Sequence, residues 1–296
     1  MKRKKQAILI MAHNNKSTVL KLLEAIDSTF FDIYLHIDKK SSLDITDFNC
    51  VTAYSELFVF KEIDVRWADY SQTETEFFLL KKALKNNYSY YHLISGNDFL
   101  IKTPSEIYHY FEENKKIYVH FSSNELPQAK INWVKYYHLF MPVLRNNYFW
   151  IILDKIFTFI QKIIHVDRIK KHKKKIMTGA NWFSIPHNFA EYVVKNEHLV
   201  ESIFKYTRSS DEMFIQTLLF NSPFFENLYR KQMDDDYDAC KRFIKWDGVV
   251  PKVLNSDDFD EMINSNKMFA RKVDEKADPM LINKIYDYII TKKKDE

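Results

Sequence analysis

Two carboxylates stand side by side in SSDEMFIQTLL, Asp211 and Glu212, where a helix is predicted to begin. A carboxylate so placed can take the proton from a hydroxyl, a step worth roughly two to four powers of ten in rate. The same letters have a structural use. Ser209 followed three residues later by Glu212 is capping-box spacing, and Asp211 would complement the helix dipole. Cations recur in RFIKWDG, with Arg242, and in MFARKVD, where Arg271 adjoins Lys272. An arginine can bind phosphate oxygens in pairs and a lysine acts on them as a point charge. Both can equally be ordinary solvated surface charge. Two stretches bear on metal binding. YYHLISGNDFLI runs an apolar strand into Ser95, Gly96, Asn97 and Asp98, one carboxylate without an acidic neighbour. MDDDYDAC has Asp-x-Asp twice between Asp234 and Asp238 but follows no apolar strand. Clustered like charges are usually solvated, so it reads as an exposed acidic loop and no metal is expected.

The composition narrows what these residues could serve. A chain of 296 residues, 46% hydrophobic, can bury a sizeable core. Three glycines argue against a Gly-rich phosphate loop, and no such pattern occurs. The net charge is +4, with 40 acidic residues interleaved among 44 basic ones, which disfavours nucleic acid as a partner. Cys50 and Cys240 are isolated and suit a reducing, cytoplasmic setting. The first apolar run, Ala7 to Ala12, is too short for a signal segment or a membrane span.

The elements that must position the site alternate in the α/β manner. QAILIMA, FDIYLHID, LFVFKEIDV and YYHLISG read as strands; NNKSTVLKLLEAID, SQTETEFFLLKKALKN and TPSEIYHYFEEN read as the helices between them. The second helix opens with Ser71 and Glu74 at capping-box spacing, the third with Pro104. Strand–helix repetition implies parallel strands and a ligand beyond their carboxyl ends, where His13, Asp38 and Ser95 to Asp98 fall. Beyond Phe121 the texture becomes aromatic and basic, with helices at PHNFAEYVVKNEHLVESIFKYT and SSDEMFIQTLLFNS, and a final helix at PMLINKIYDYIITKKK. No repeat or linker is visible, so one domain over 1–296 is expected, with an α/β half at 1–121 and an aromatic, basic half at 122–296.

In this order, ILIMAHNN, IYLHIDKKS, VRWADYSQTETEFFLLKKAL, YYHLISGNDFLIKTPSEI, TGANWFSIP, SSDEMFIQTLL, RFIKWDG and MFARKVD resemble segments of the core-2/I-branching glycosyltransferases, a family that includes peptide xylosyltransferases. The resemblance implies a single glycosyltransferase A-type α/β domain, a mostly parallel sheet flanked by helices. It implies metal-independent, inverting transfer of a sugar, commonly N-acetylglucosamine, from a UDP donor, with no cofactor. It places the general base on Glu212 and the diphosphate-neutralising cations on Arg242 and Lys272. His13 and Asp38 match positions lining the nucleotide pocket, and Trp67, Ser95, Gly96 and Asp98 would complete the donor side. Trp182 and Trp133 are candidates for stacking on the acceptor sugar. The amino-terminal anchor and many cysteines of animal members are missing, which fits a bacterial cytoplasmic enzyme of surface-polysaccharide synthesis.

One segment has another use. From Tyr148 to His165 the polar residues Asp154, Lys155, Thr158, Gln161, Lys162 and His165 fall at helical spacing among large apolar ones, and Arg168 with five lysines follows by Lys175. The segment 148–175 is either a core helix with a charged end or a helix lying in an anionic membrane interface, next to a lipid-linked acceptor. A non-catalytic carbohydrate- or membrane-binding module on the same fold is the alternative to an enzyme, and UDP release separates the two.

Overall fold

A computed structural model of the chain describes residues 3–140, 148–248 and 250–295. The start of the basic amino terminus, residues 1–2, and the end of the expected domain, residue 296, lie outside the described residues. The strands are β1 (Gln6–Ala12), β2 (Phe31–Ile37), β3 (Leu57–Phe60), β4 (Tyr90–Ser95), β5 (Asp98–Leu100), β6 (Tyr118–Val119), β7 (Phe183–Pro186), β8 (Arg242–Ile244), β9 (Trp246–Asp247), β10 (Val250–Pro251) and β11 (Phe269–Arg271). The helices are α1 (Lys16–Ile26), α2 (Tyr70–Ala83), α3 (Pro104–Asn114), α4 (Gln128–Lys135), α5 (Tyr148–Ile163), α6 (His187–Lys195), α7 (Glu197–Phe204), α8 (Phe214–Phe220), α9 (Phe259–Asn264) and α10 (Pro279–Asp295).

The central sheet runs β3-β2-β1-β4-β7-β6. Its first four strands are mutually parallel, while β7 is antiparallel to β4 and β6, giving the expected mostly parallel α/β sheet. Helices cover both faces, so β2 is buried at every position. Alternation along β1 sends Ile8 and Ile10 into the core shared with α1 and α10, and Ala7 and Leu9 into the core shared with α2 and α8. A smaller sheet, β5-β11-β8, stands beside the main one.

Local chemistry sets the helix starts. Thr103 and Glu106 form a reciprocal capping box on α3, with Pro104 in its first turn. The helix α2 differs from expectation: Asp69 is its cap, accepting from Ser71 N at 3.0 Å, while Ser71 Oγ accepts from Arg66 N. The long polar and apolar stretch after Pro186 splits into α6 and α7 at Asn196.

Strand order reverses between β1 and β4, because the chain builds β2 and β3 on one side of β1 and β4 on the other. At such a point the two loops diverge and leave a crevice at the carboxyl ends of the strands. Gly96 lets those ends approach: a Cβ there would meet Ala12 Cβ at 3.0 Å and Val19 Cγ2 at 3.1 Å.

Candidate active site

The crevice is walled by the expected loops. His13 is exposed, and its carbonyl accepts from Ser41 Oγ at 2.8 Å. Asn15 and Asn97 join the loops after β1 and β4 through a 3.1 Å side-chain bond. A cleft of about 630 Å³ continues outward, lined by residues that include Asn14, Asn15, Ser42 and Lys276. Asp38 faces inward instead. It is buried, its Oδ1 accepts from Lys40 N and Val65 N, and Lys40 Nζ lies 3.2 Å from Oδ2. It therefore fixes the loop over the end of β2. Asp98 is likewise buried, and its Oδ2 accepts from Ser95 N at 2.7 Å, tying down the elbow. Ser95 Oγ accepts from Asn97 N.

The cation beside that elbow is Arg271, the register partner of Asp98 across β11 and β5. Its Nη1 lies 3.4 Å from Asp98 Oδ1, and its guanidinium stacks over Trp182 with 4.0 Å to the ring centroid. Among the described residues its buried Nε has no hydrogen-bond partner, while Nη1 is held against Asp98. A guanidinium so fixed can offer its remaining N–H groups to an anionic oxygen. Lys272 follows, partly exposed, with its carbonyl accepting from Leu254 N.

Two expectations are corrected by burial. Arg242 lies in the interior, 1% exposed, donating to the carbonyls of Leu93, Phe183 and Cys240 and packing on the Phe269 ring. It braces β4 against β7 and does not face the crevice; the arginine that stands beside the elbow, next to Lys272, is Arg271. Trp182 is 9% exposed beneath Arg271, so that face is filled by the guanidinium and offers no surface to an acceptor sugar.

The adjacent carboxylates divide their roles. Ser209 has a left-handed backbone and makes no side-chain cap, so the capping-box alternative does not hold. The loop is held from the backbone: Ser209 N donates to Ala68 O, and Gly179 N donates to Glu212 O, each at 2.9 Å. Glu212 is thereby turned outward with its side chain 42% exposed, and Lys130 Nζ lies 3.2 Å from Oε2. Lys130 is itself anchored by donating to Thr178 Oγ1 at 2.9 Å. Beside them Arg208 lies between Trp133, at 5.0 Å, and the exposed Trp67, at 5.9 Å. Half-exposed aromatic faces next to a carboxylate can receive a sugar ring.

Asp211 points inward, buried, accepting from Gln72 Nε2 at 3.1 Å. Burial, then the neighbouring charge of Glu212, push its pKa up to about 7. Glu76 on α2 is wholly buried near Asp211, with Asn181 as its polar neighbour; burial first, then the charge of Asp211, drives its pKa well above the usual carboxylate range. Tyr237 stacks on His120 at 4.2 Å. Burial first, then the charges of Asp235, Cys240 and Glu212, raise the pKa of its phenol, and Arg271 opposes them.

The acidic run is spent on protein partners. Asp234 and Asp236 pair with Arg230, and Asp235 lies 3.3 Å from His120 Nε2. At Asp238 the upward effect of burial is outweighed by Lys241 and Lys267, and its pKa falls to about 2. Asp211 and Arg271 were read from the sequence as the neighbours of Glu212 and Lys272, whereas Lys130, Tyr237 and Glu76 were not expected. Of these three only Lys130, three residues before Trp133, carries a local signal.

The family model described as Core-2/I-Branching enzyme matches residues 7–276. Over 125 residues, 40% of the chain, it is 30% identical to the beta-glucuronosyltransferase GlcAT14A of Arabidopsis thaliana. Over 121 residues, 35% of the chain, it is 28% identical to the xylosyltransferase sqv-6 of Caenorhabditis briggsae. These alignments take in 26% of the first relative and 15% of the second.

Proposed function

The chain belongs to the Core-2/I-branching enzyme family, and on that premise we propose an inverting glycosyltransferase that moves a sugar from a UDP donor to a saccharide hydroxyl. N-acetylglucosamine is the proposed sugar. Xylosyl or another hexosyl transfer is the second reading, favoured by two relatives named for glucuronosyl and xylosyl transfer. The observation carrying the proposal is the outward Glu212 carboxylate held by Lys130, whose ammonium also lies 5.9 Å from the Trp133 ring.

In this reading Glu212 removes the acceptor hydroxyl's proton as the oxygen attacks the anomeric carbon from the face opposite the diphosphate. Lys130 holds the carboxylate in place, and Trp133 bounds the acceptor together with Trp67, which was expected on the donor side but shares Arg208 with Trp133. Donor binding falls to the crevice at His13 and Ser95 to Asn97, with Asp38, Gly96 and Asp98 shaping its walls. As the glycosidic bond breaks, charge grows on the diphosphate and meets Arg271 and Lys272, which serve in place of a metal. The acceptor is a saccharide, proposed to be lipid-linked in surface-polysaccharide synthesis, and the halves at 1–121 and 122–296 divide donor from acceptor work within one domain.

The test is UDP release from a panel of UDP-sugars, with and without EDTA, for the parent and Glu212→Gln. Turnover that survives EDTA and is lost in the variant is expected. Turnover lost on chelation would overturn metal independence. Equal turnover by Glu212→Gln would remove Glu212 as base.

A further inference from the structure

The helix α5 is turned inside out. Its polar residues at positions 154, 158 and 161 share a face, and that face packs inward. Gln161 is buried, accepting from Tyr137 N at 2.8 Å and donating to Tyr137 O at 2.9 Å. Asp154 bonds His138 at 3.0 Å. The opposite face carries Ile152, Ile156, Phe159, Ile160 and Ile163, exposed by between 47% and 62%. A helix on a water-facing surface normally does the reverse.

We propose that α5 and the lysines after it form a docking surface for an anionic lipid bilayer. Five contiguous large apolar side chains on one stripe can enter the boundary between headgroups and acyl chains. Charge selects the occupant. Residues 148–175 hold eight cations against two carboxylates, a surplus of six in a chain whose net charge is +4, so the remainder is acidic by two. Both carboxylates are engaged within the protein, Asp154 with His138 and Asp167 with Lys135. Lys155, Lys162, Lys170, Lys171, Lys173 and Lys175 are exposed. A second copy of the chain would bring this cationic run against itself, whereas anionic headgroups neutralise it. No described helix is long and apolar enough to cross a membrane, so α5 lies on the bilayer.

The docking surface is coupled to the site. Arg168 donates to the carbonyls of Val134, Tyr136 and Ile203, and Gln161 and Asp154 grip Tyr137 and His138, which follow directly on α4. The same α4 carries Lys130 and Trp133. A saccharide on a lipid carrier would thus arrive on the side of Glu212 that meets the acceptor, a consequence that rests on the proposed transferase function.

Vesicle flotation of the full chain tests the surface without any sugar substrate. Vesicles of phosphatidylcholine alone are compared with vesicles containing three-tenths phosphatidylglycerol, at low and high salt. Binding to the anionic vesicles is expected to fall about tenfold or more in Ile156→Gln with Phe159→Gln, and about fivefold for each of Lys170, Lys171 and Lys173 changed to Gln. These variants should keep the parent's circular dichroism and its background UDP release. Absence of binding to anionic vesicles, or binding indifferent to the substitutions, overturns the proposal. A lipid-free dimer that Phe159→Gln converts to monomer would reassign the face to self-association. Vesicle binding without UDP release would leave the docking surface standing and remove the transferase function.

Discussion

Lys130 Nζ lies 3.2 Å from Glu212 Oε2, although 82 residues separate them and they belong to different elements. The pair is partly open to solvent, so its stabilising effect is at most about 1 kcal/mol. Its value is positional: it points one oxygen of the carboxylate, while the other has no hydrogen bond among the described residues.

Replacing Glu212 by Gln should therefore separate chemistry from stability. Turnover should fall by about two to four powers of ten, while the unfolding free energy stays within about 0.5 kcal/mol of the parent. UDP release and urea melts on the same preparation check both halves.

Lys130→Met should lower kcat by about tenfold, less than loss of the base itself, because the carboxylate remains but is no longer held. A change confined to donor KM would show that Lys130 serves the donor instead.

The arginines should behave oppositely. Arg242→Met strands buried carbonyls at Leu93, Phe183 and Cys240 and should cost about 3 kcal/mol or more in stability. Arg271→Met should leave a folded protein with weakened donor use, seen as a raised KM for the UDP-sugar or a reduced kcat. A melting temperature lowered equally in both variants would refute this division.

Asp211 should give stability a pH dependence of definite sign. Burial, then the charge of Glu212, raises its pKa from the ordinary aspartate range to about 7 in the folded chain. The native state therefore holds the proton more tightly than the unfolded one, and this contribution, full below about 4, is lost as pH rises to about 7. Asp211→Asn removes that dependence, so the variant should gain on the parent between pH 5 and pH 8 in urea melts.

Gly179→Ala should not give a stable fold. A Cβ at this position would lie 1.9 Å from His120 O, a backbone atom just beyond the end of β6. The residue also donates to Glu212 O, so any shift that relieves the clash moves the loop carrying the carboxylate. A loss of more than about 4 kcal/mol is expected, read as failure to recover soluble protein or a collapsed melt.

The parallel core of the sheet was legible because β1, β2 and β4 are apolar runs closed by polar loops, a pattern carried by neighbours in the chain. The loops that wall the crevice came with it, since they follow from strand order. Burial of polar groups was not legible in the same way. Whether Arg242 faces water depends on the carbonyls of Leu93 and Phe183, 149 and 59 residues away, and nothing near RFIKWDG announces them. Trp182 was misplaced for the same reason: its covering cation sits on another strand. At α2 the left-handed turn at Ala68 moved the helix start to Asp69 and released Ser71 from the cap. The amphipathic period of α5 was plain, but period alone does not say which face a protein turns inward.

Arg242 also determines how the chain can be divided. Its guanidinium gathers carbonyls from residues 93, 183 and 240, so the edge where β4 meets β7 is completed only when the last fifth of the chain has arrived. A fragment ending at 121 would lack both β7 and this cation, exposing the β4 edge. Limited proteolysis should accordingly run from intact protein to small peptides without a lasting amino-terminal core, and the two halves should not complement each other when expressed as separate polypeptides.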